Sequence, residues 1–183
     1  LAYHRILQWI TPVLGSNLES TRGEVQRLIE QGIIVEADVT EVQLERIVAF
    51  WTSDVGKMIR AESDRLHREL PFTARFAVEE LQQLGFDFND DAQDPKMRDW
   101  VILQGVIDLA VLTPGEIWLL DFKSERIDSS QLNRQLDIHR PQLMAYQSAL
   151  ERIYHRPVVH CWIHFLQSDT THDFASAAPL PKA

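Results

Sequence analysis

Two apolar stretches near the middle of the chain are separated by a turn sequence. The first covers Trp100–Leu112 and is interrupted by two polar side chains, Gln104 and Asp108. The second covers Ile117–Lys123, and residues 113–116 between them read Thr-Pro-Gly-Glu. Apolar stretches on either side of a Pro-Gly turn are typical of two paired strands. The pattern therefore predicts a hairpin at the centre of the fold.

The polar residues of the second stretch fall on one side of the predicted strand. Side chains alternate between the two faces of a strand, so one face carries Ile117, Leu119, Asp121 and Lys123 and the other carries Trp118, Leu120 and Phe122. Asp121 and Lys123 then point the same way, about 7 Å apart along the strand. Asp108 on the neighbouring strand can reach the same place. Because buried charges are costly unless they bind something, Asp108, Asp121 and Lys123 form the candidate functional site.

The rest of the pattern predicts helices before the hairpin, and a helix and a strand after it. Helical spacing of apolar residues predicts helices at residues 1–10, 22–31 (opened by Ser20 or Thr21), 42–51 (capped by Thr40, with 54–64 as a continuation or short successor) and 140–154. Strands are predicted at residues 66–76 and 158–166, and a short helical or irregular piece at 77–85. We expect a surface loop at 86–98, a mobile loop at 124–136 and a frayed tail at 167–183. This order predicts an α/β fold with a mixed sheet flanked by helices and an N-terminal helical segment.

The length of the chain fits one domain. Its 183 residues can bury a substantial core. We divide this single domain into a helical part at about 1–65, a sheet core at about 66–166 and a tail at 167–183. The chain begins with Leu1 rather than Met, so we expect it to be a fragment of something longer. No apolar run approaches the roughly 20 residues that span a bilayer. With Cys161 as the only cysteine, an internal disulfide and a cluster of several thiolates are excluded, and we expect a reducing, cytoplasmic setting.

The charge balance restricts the kind of partner. The chain has 27 acidic and 18 basic residues, a net charge of −9. This argues against a protein that holds nucleic acid through a broad basic surface. It leaves open an enzyme whose metal ions supply the positive charge locally.

Four motifs in the chain, taken in order, resemble a known family. Gly105-Val106-Ile107-Asp108 is followed after twelve residues by Asp121-Phe122-Lys123-Ser124, and Gln142 and Tyr146 stand four residues apart further on. This resembles the PD-(D/E)xK nuclease core and the Q-x-x-x-Y signature of its RecB-like branch. Residues 1–7, with His4, resemble that branch's first helix, and residues 68–72 resemble the strand before its core. The likeness runs from His4 to Leu166 and is greatest to the C-terminal nuclease domain of RecB and AddA helicase–nucleases.

The resemblance implies a restriction-endonuclease-like fold and a metal-dependent DNA nuclease. Asp108 and Asp121 would be ligands of Mg²⁺, with the Phe122 carbonyl as a plausible third, because this ion prefers oxygen. By resemblance His4 is a further ligand, which Mn²⁺ would tolerate better. Lys123 would orient or deprotonate the attacking water and stabilise the phosphate charge. DNA-binding or supporting roles fall to a further set: Gln142, Tyr146, Glu69 and Ser124.

The resemblance also implies partners and excludes one cofactor. It implies that the parent protein is a helicase–nuclease that processes double-strand breaks for recombinational repair. The partners of this domain would then be DNA, the helicase domains of the same full-length chain and a second helicase–nuclease subunit. Only the helicase domains would use ATP. Relatives with an iron–sulfur cluster need four cysteines, and this chain has one. The chain departs from the family pattern at Phe122, Ser124 and His139, where tyrosine, threonine and an aromatic residue are common. None of these departures removes a catalytic group.

Other interpretations of the same residues stay open. Asp108, Asp121 and Lys123 could form a buried salt-bridge cluster without a catalytic role, although such clusters add little net stability. His4 could be an ordinary core histidine, Glu69 an exposed strand residue, and the pair Gln142 and Tyr146 ordinary helix packing. At the level of function, the alternatives are a non-catalytic DNA-binding or scaffolding module with a degenerate nuclease fold, and a stand-alone RecB-like exonuclease.

Overall fold

A mixed sheet of five strands forms the centre of the fold, in a computed structural model that describes residues 2–87, 100–128 and 130–175. The strands follow one another across the sheet in chain order: β1 (Leu66–Ala77), β2 (Trp100–Leu112), β3 (Ile117–Lys123), β4 (Val158–Phe165) and β5 (Thr170–Asp173). Neighbours are antiparallel except β3 and β4, which are parallel. Parallel neighbours need a crossover connection, and a long helix supplies it here. The predicted central hairpin is confirmed.

Helices cover both faces of the sheet. On one face lie α1 (Ala2–Trp9), α2 (Leu18–Glu30), α3 (Glu41–Thr52) and α4 (Asp54–Ala61), and on the other lie α5 (Val78–Gln83) and α6 (Leu132–Tyr154). Short 3₁₀ turns occupy Leu14–Ser16, Glu36–Asp38 and Ser63–Arg65. The predicted α/β class, with a mixed sheet and an N-terminal helical segment, is confirmed.

Each face of the sheet has its own hydrophobic core. The N-terminal core joins the first four helices to Leu120 and Phe122, and the α6-side core joins α5 and α6 to Ile117 and Leu119. The predicted alternation of faces along β3 is therefore confirmed. By the same alternation, Asp121 lies on the α6 side of β3 and Phe122 on the side of the N-terminal helices.

Helix boundaries depend on local capping, which the periodic pattern placed imperfectly. The Asn17 side chain accepts hydrogen bonds from the backbone N–H groups of Glu19 and Ser20, so α2 begins at Leu18. The prediction that Ser20 or Thr21 opens this helix was wrong. Thr40 caps α3 as predicted, in a reciprocal pair with Gln43.

The predicted loop at residues 124–136 is wrong in its last part. Helix α6 begins at Leu132 and continues through Pro141 to Tyr154. The polar composition of the segment predicts a loop, and Pro141 within the helix removes one backbone hydrogen bond. Burial of Leu136 and Leu143 against the α6-side core compensates for that loss.

Two further predictions concern the tail at residues 167–183 and the surface loop at residues 86–98. Residues 170–173 of the predicted frayed tail form β5 instead, which pairs with β4, and Phe174 behind it is buried. Residues 176–183 lie outside the described residues, as do residues 88–98 of the predicted surface loop. Among the helices that are described, none has both the length and the apolar character needed to cross a bilayer.

The regular alternation of β1 and β2 breaks at one place. Ile107 belongs to the α6-side core, yet Leu109 belongs to the N-terminal core, although both are odd positions of β2. Opposite this break on β1, Glu69 has a positive φ of 49°, which is rare for a residue with a side chain. The ladder pairs Arg68 with Leu109 and Leu70 with Ile107, so Glu69 and Asp108 stand opposite each other where both strands turn. This break positions Asp108.

Candidate active site

The strands β2 and β3 separate at the two candidate carboxylates. Their ladder ends at the pair Leu109 and Leu120, one step before Asp108 would face Asp121. Beyond that point the Phe122 backbone N–H donates to Asp108 Oδ2 at 2.7 Å. The Asp108 carboxylate thus replaces the backbone carbonyl that would otherwise accept from the Phe122 N–H. Its negative charge lies at the opening between the two strands.

Asp121 is the most deeply placed charged group of the site. Only 5% of it is exposed, and Lys123 Nζ lies 2.9 Å from its Oδ2. The contact is an ion pair rather than an aligned hydrogen bond, since Oδ2 has no partner of hydrogen-bond geometry. Burial raises the pKa of Asp121, and the nearby Lys123 ammonium only partly offsets this. Asp121 therefore has an incompletely compensated charge.

Lys123 is connected to α6 through a short chain of polar groups. Its Nζ lies 3.4 Å from Gln142 Oε1, and Gln142 Nε2 donates to the Tyr146 hydroxyl at 2.9 Å. The Tyr146 ring packs edge-on against Phe72, with 5.0 Å between the ring centroids. A Cβ atom at Gly105 would come within 2.7 Å of the Phe72 ring and 3.1 Å of the Tyr146 ring. The structure thus brings Gln142 and Tyr146 together with Lys123, and Gly105 leaves room for them.

His4 reaches the site from the other face of the sheet. Its Nδ1 lies 3.8 Å from Asp108 Oδ2, a distance of electrostatic attraction rather than of a hydrogen bond. The interaction with the Asp108 carboxylate raises the pKa of His4, although burial opposes it. Helix α1 is held in place by buried Ile6 and Leu7, and by Arg68 Nη1, which donates to the Gln8 carbonyl at 2.9 Å.

A narrow cleft lies beside His4 and Asp108. Its interior volume is about 10 Å³, close to the room of one water-sized sphere. The lining includes His4, Gln8, Glu69, Asp108 and Phe122. Burial and the charge of Asp108 both raise the pKa of Glu69. The structure therefore places Glu69 at the cleft, not on an exposed strand surface.

The comparisons with known proteins agree with this geometry. The family model described as the PD-(D/E)XK nuclease superfamily matches residues 1–181. The chain belongs to this superfamily. The predicted restriction-endonuclease-like core is thus confirmed, together with the resemblance on which that prediction rested.

Curated relatives of this PD-(D/E)XK chain are much longer proteins, which carry the name of an ATP-dependent helicase/nuclease subunit. The chain is 26% identical over 170 residues to the one from Levilactobacillus brevis, with 90% of this chain and 13% of the relative covered. It is 27% identical over 175 residues to the one from Bacillus cytotoxicus, covering 92% of this chain and 13% of the relative. For Moorella thermoacetica the identity is 30% over 168 residues, covering 90% of this chain and 11% of the relative. The chain thus matches a small part of each relative.

The donor types of this PD-(D/E)XK site suit a divalent cation. His4, Asp108 and Phe122 line the cleft, and Asp121 lies across the opening from Asp108. Carboxylate and carbonyl oxygens bind Mg²⁺ or Mn²⁺, and an imidazole nitrogen suits Mn²⁺ better. Within the described ranges, however, no three His, Cys, Asp or Glu side chains lie close enough to hold a metal ion. The Asp108 carboxylate accepts from the Phe122 amide, and the Asp121 carboxylate pairs with Lys123. These contacts direct the two carboxylates to different partners. The ligand types fit a cation, and the buried Asp121 Oδ2 has no aligned hydrogen bond that would compete with one.

Two residues near the site were not selected from the sequence. His139 Nε2 lies 2.6 Å from Glu125 Oε1, which ties the segment after β3 to α6, and the His139 charge is among the influences that lower the pKa of Asp121. Arg68 clamps α1 from the strand that carries Glu69. The sequence pattern around His139 and Arg68 gives no indication that either residue supports the site. Ser124 has an exposed side chain, and its carbonyl accepts a hydrogen bond from Gln167.

Proposed function

We propose that residues 1–183 are a single nuclease domain that hydrolyses DNA phosphodiester bonds with the help of a divalent cation. The observation that carries this proposal is the opening between β2 and β3, where Asp108 lines a small cleft and Asp121 forms an ion pair with Lys123. Membership of the nuclease superfamily and the helicase/nuclease names of the relatives support it. The parent protein would be a helicase–nuclease that processes broken DNA ends for recombinational repair.

Each residue of the candidate site has a specific role in this proposal. Asp108, Asp121, the Phe122 carbonyl and His4 would hold Mg²⁺ or Mn²⁺. A divalent cation supplies polarisation of the phosphoryl oxygen and acidifies a water molecule. Lys123 would orient that water or accept its proton, and would stabilise the negative charge on the phosphate.

The groups around the cleft would keep the lysine in place. Gln142 Oε1 faces the Lys123 ammonium, and the Tyr146 hydroxyl fixes the Gln142 side chain. Glu69 and Ser124 would contact or support the DNA strand. Partners of the domain would be DNA, the helicase domains of the same full-length chain, which alone use ATP, and a second helicase–nuclease subunit, in the cytoplasm.

A second candidate function is DNA binding without cleavage. The observation in its favour is that the ligand side chains, within the described residues, are not gathered around one point. Such a module would bind DNA equally well without a divalent cation. The intact Asp108, Asp121 and Lys123 favour the nuclease.

The experiment that tests the proposal is cleavage of labelled single-stranded DNA in Mg²⁺ or Mn²⁺. The variants are Lys123→Ala and Asp121→Asn, and the matched control is Lys57→Ala, which removes an exposed lysine on α4. We expect metal-dependent cutting that both site variants abolish and the control keeps. Cutting that survives both site variants would contradict the proposed site. Metal-independent DNA binding without cutting, in either metal and at high enzyme concentration, would support the second candidate.

A further inference from the structure

The outer halves of β1 and β2 form a two-stranded ribbon that extends beyond the rest of the sheet. The ladder continues from Leu70 paired with Ile107 to Ala77 paired with Trp100. One face of this ribbon is packed: Phe72, Ala74 and Phe76 are buried in the α6-side core. The opposite face carries the alternate residues, and no helix of the described ranges belongs to a core that includes them.

The residues of this open face are mostly apolar. Ile102 is 48% exposed and Val106 is 46% exposed. We call the open face the ribbon platform, and its residues are Pro71, Thr73, Arg75, Trp100, Ile102, Gln104 and Val106. Singly exposed apolar residues are ordinary on protein surfaces, but a row of them on one strand indicates a contact surface.

Charge distinguishes the ribbon platform from the rest of the molecule. The chain has a net charge of −9, yet residues 70–77 and 100–107 contain no Asp or Glu, and Arg75 is their single charged residue. The Arg75 guanidinium lies over the Trp100 ring, 4.5 Å from its centroid, and this cation–π contact holds the two side chains together. This surface has no acidic side chain, one aromatic ring and one positive charge. It suits a ligand that combines negative charges with flat rings, as a nucleic acid does.

The ribbon platform is continuous with the catalytic cleft. Cross-strand pairs lead outward from Glu69 and Asp108 in the order Pro71 with Val106, Thr73 with Gln104, Arg75 with Ile102, and Ala77 with Trp100. From Asp108 to Trp100 this row is eight residues long, or about 26 Å at the rise of a strand. A strand of DNA whose phosphate lies beside Asp108 would therefore continue along this face.

The edge of β1 is closed to a protein strand, which leaves the face as the available surface. Pro71 has no backbone N–H to pair with another strand, and the Arg75 carbonyl already accepts a hydrogen bond of 2.9 Å from Arg152 on α6. Edge-to-edge addition of a peptide is thereby disfavoured. Flat bases stacking on the side chains of the face meet no such obstacle.

From these observations we propose that the ribbon platform is a base-stacking track for single-stranded DNA beside the catalytic cleft. Bases stack on the Arg75–Trp100 pair and pack on Ile102 and Val106, and the Arg75 charge attracts a phosphate. Such surfaces bind without sequence preference, because every base has an apolar face. Paired bases in a duplex are already stacked on one another, so the track favours unpaired DNA. The inference rests on the proposed nuclease function and deepens it by naming the surface that holds the unpaired strand.

The first test measures cleavage kinetics in the full-length protein that carries this chain, without ATP. The variants are Trp100→Ala and Ile102→Ser, with Trp100→Phe as the conservative replacement and Val42→Ser as the matched control on α3, where Val42 is 54% exposed. We expect Trp100→Ala to raise KM for a single-stranded oligonucleotide about tenfold, with kcat within about twofold of the wild type. Trp100→Phe restores most of the affinity, Val42→Ser changes nothing, and KM for a blunt duplex stays unchanged.

A second readout does not depend on cutting. A single strand containing 5-iodouracil is crosslinked by light to the same protein with Ca²⁺ in place of Mg²⁺, and the crosslinked peptides are identified by mass spectrometry. We expect a crosslink to Trp100 that competing single strands suppress. If the wild type cuts while Trp100→Ala and Ile102→Ser leave KM unchanged, or if no crosslink falls on the ribbon, another partner covers this face and the inference is wrong. Failure of the wild type to cut would instead contradict the nuclease function, and the crosslink would still decide on the track.

Discussion

Asp108 Oδ2 accepts a hydrogen bond of 2.7 Å from the Phe122 backbone N–H, at the point where β2 and β3 have separated. The carboxylate replaces the carbonyl that would pair with this amide in a continuous ladder. One side chain therefore both holds the opening between the strands and supplies a candidate metal ligand. The two tasks can be separated by substitution.

Replacing Asp108 by Asn or by Ala should separate its structural role from its chemical role. Asp108→Asn keeps an oxygen that accepts from the Phe122 amide, so we expect near wild-type stability without cleavage. Asp108→Ala leaves that amide without its acceptor and should lower the free energy of unfolding by about 1–3 kcal/mol, also without cleavage. Urea unfolding and a cleavage assay measure the two effects. Equal stability of the two variants would show that the hydrogen bond does not support the opening.

Gly105 should tolerate no side chain, because of what it touches. In Gly105→Ala the new Cβ meets the Phe72 and Tyr146 rings, so we expect a loss of about 1–3 kcal/mol and a lower kcat, since Tyr146 positions Gln142 beside Lys123. Thermal unfolding and steady-state cleavage measure both changes.

The matched control for this change is Gly23→Ala. Gly23 lies within α2, and a Cβ atom there meets nothing within 4 Å. Alanine is the better helix former by about 1 kcal/mol, so the control should be slightly stabilised and fully active. If both alanine variants behave alike, close packing at Gly105 does not hold the Lys123 network.

His164 should make the stability of the domain depend on pH. Burial lowers the pKa of His164 from 6.5 to about 4, and the ring packs against Phe50 and Phe122 with Nδ1 next to the Thr171 hydroxyl. Between these two pH values the unfolded chain takes up a proton that the folded chain refuses. The free energy of unfolding is therefore highest above pH 6.5 as far as His164 is concerned. It falls by about 3 kcal/mol through this group as the pH is lowered toward 4.

The variant His164→Gln removes this titration while keeping a hydrogen-bonding side chain. Its stability should decline less than that of the wild type between pH 7 and pH 4, as measured by urea unfolding at several pH values. His67→Gln, at an exposed position of β1, serves as the control and should follow the wild type. Parallel curves for wild type and His164→Gln would mean that His164 is protonated without cost in the folded state.

The acidic surface should make the intrinsic affinity for DNA low. With a net charge of −9, few cationic side chains are available to displace counterions from the phosphates, so binding should be weak and fall further with salt. Fluorescence anisotropy with labelled duplex at several salt concentrations measures this. A nanomolar Kd at physiological salt would contradict the expectation.

The sequence alone determined the elements that local pattern controls. The apolar stretches at Trp100–Leu112 and Ile117–Lys123 predicted β2 and β3 with their bounds, and alternation placed Asp121 and Lys123 on one side of β3. These succeed because a strand has a period of two and a Pro-Gly turn ends it. Capping and helix length were less accessible: Asn17 displaced Ser20 as the cap of α2, and burial of Leu136 carried α6 through the segment before Pro141.

Only the tertiary structure decided how the candidate site is assembled. The positive φ of Glu69 and the change of face at Asp108 come from two strands turning together, which no local period encodes. The contact of Asp108 with Phe122 and the pairing of His139 with Glu125 join residues fourteen positions apart. A one-dimensional pattern records which residues share a face of one element. Which faces meet, and how closely, follows from packing two cores against one sheet.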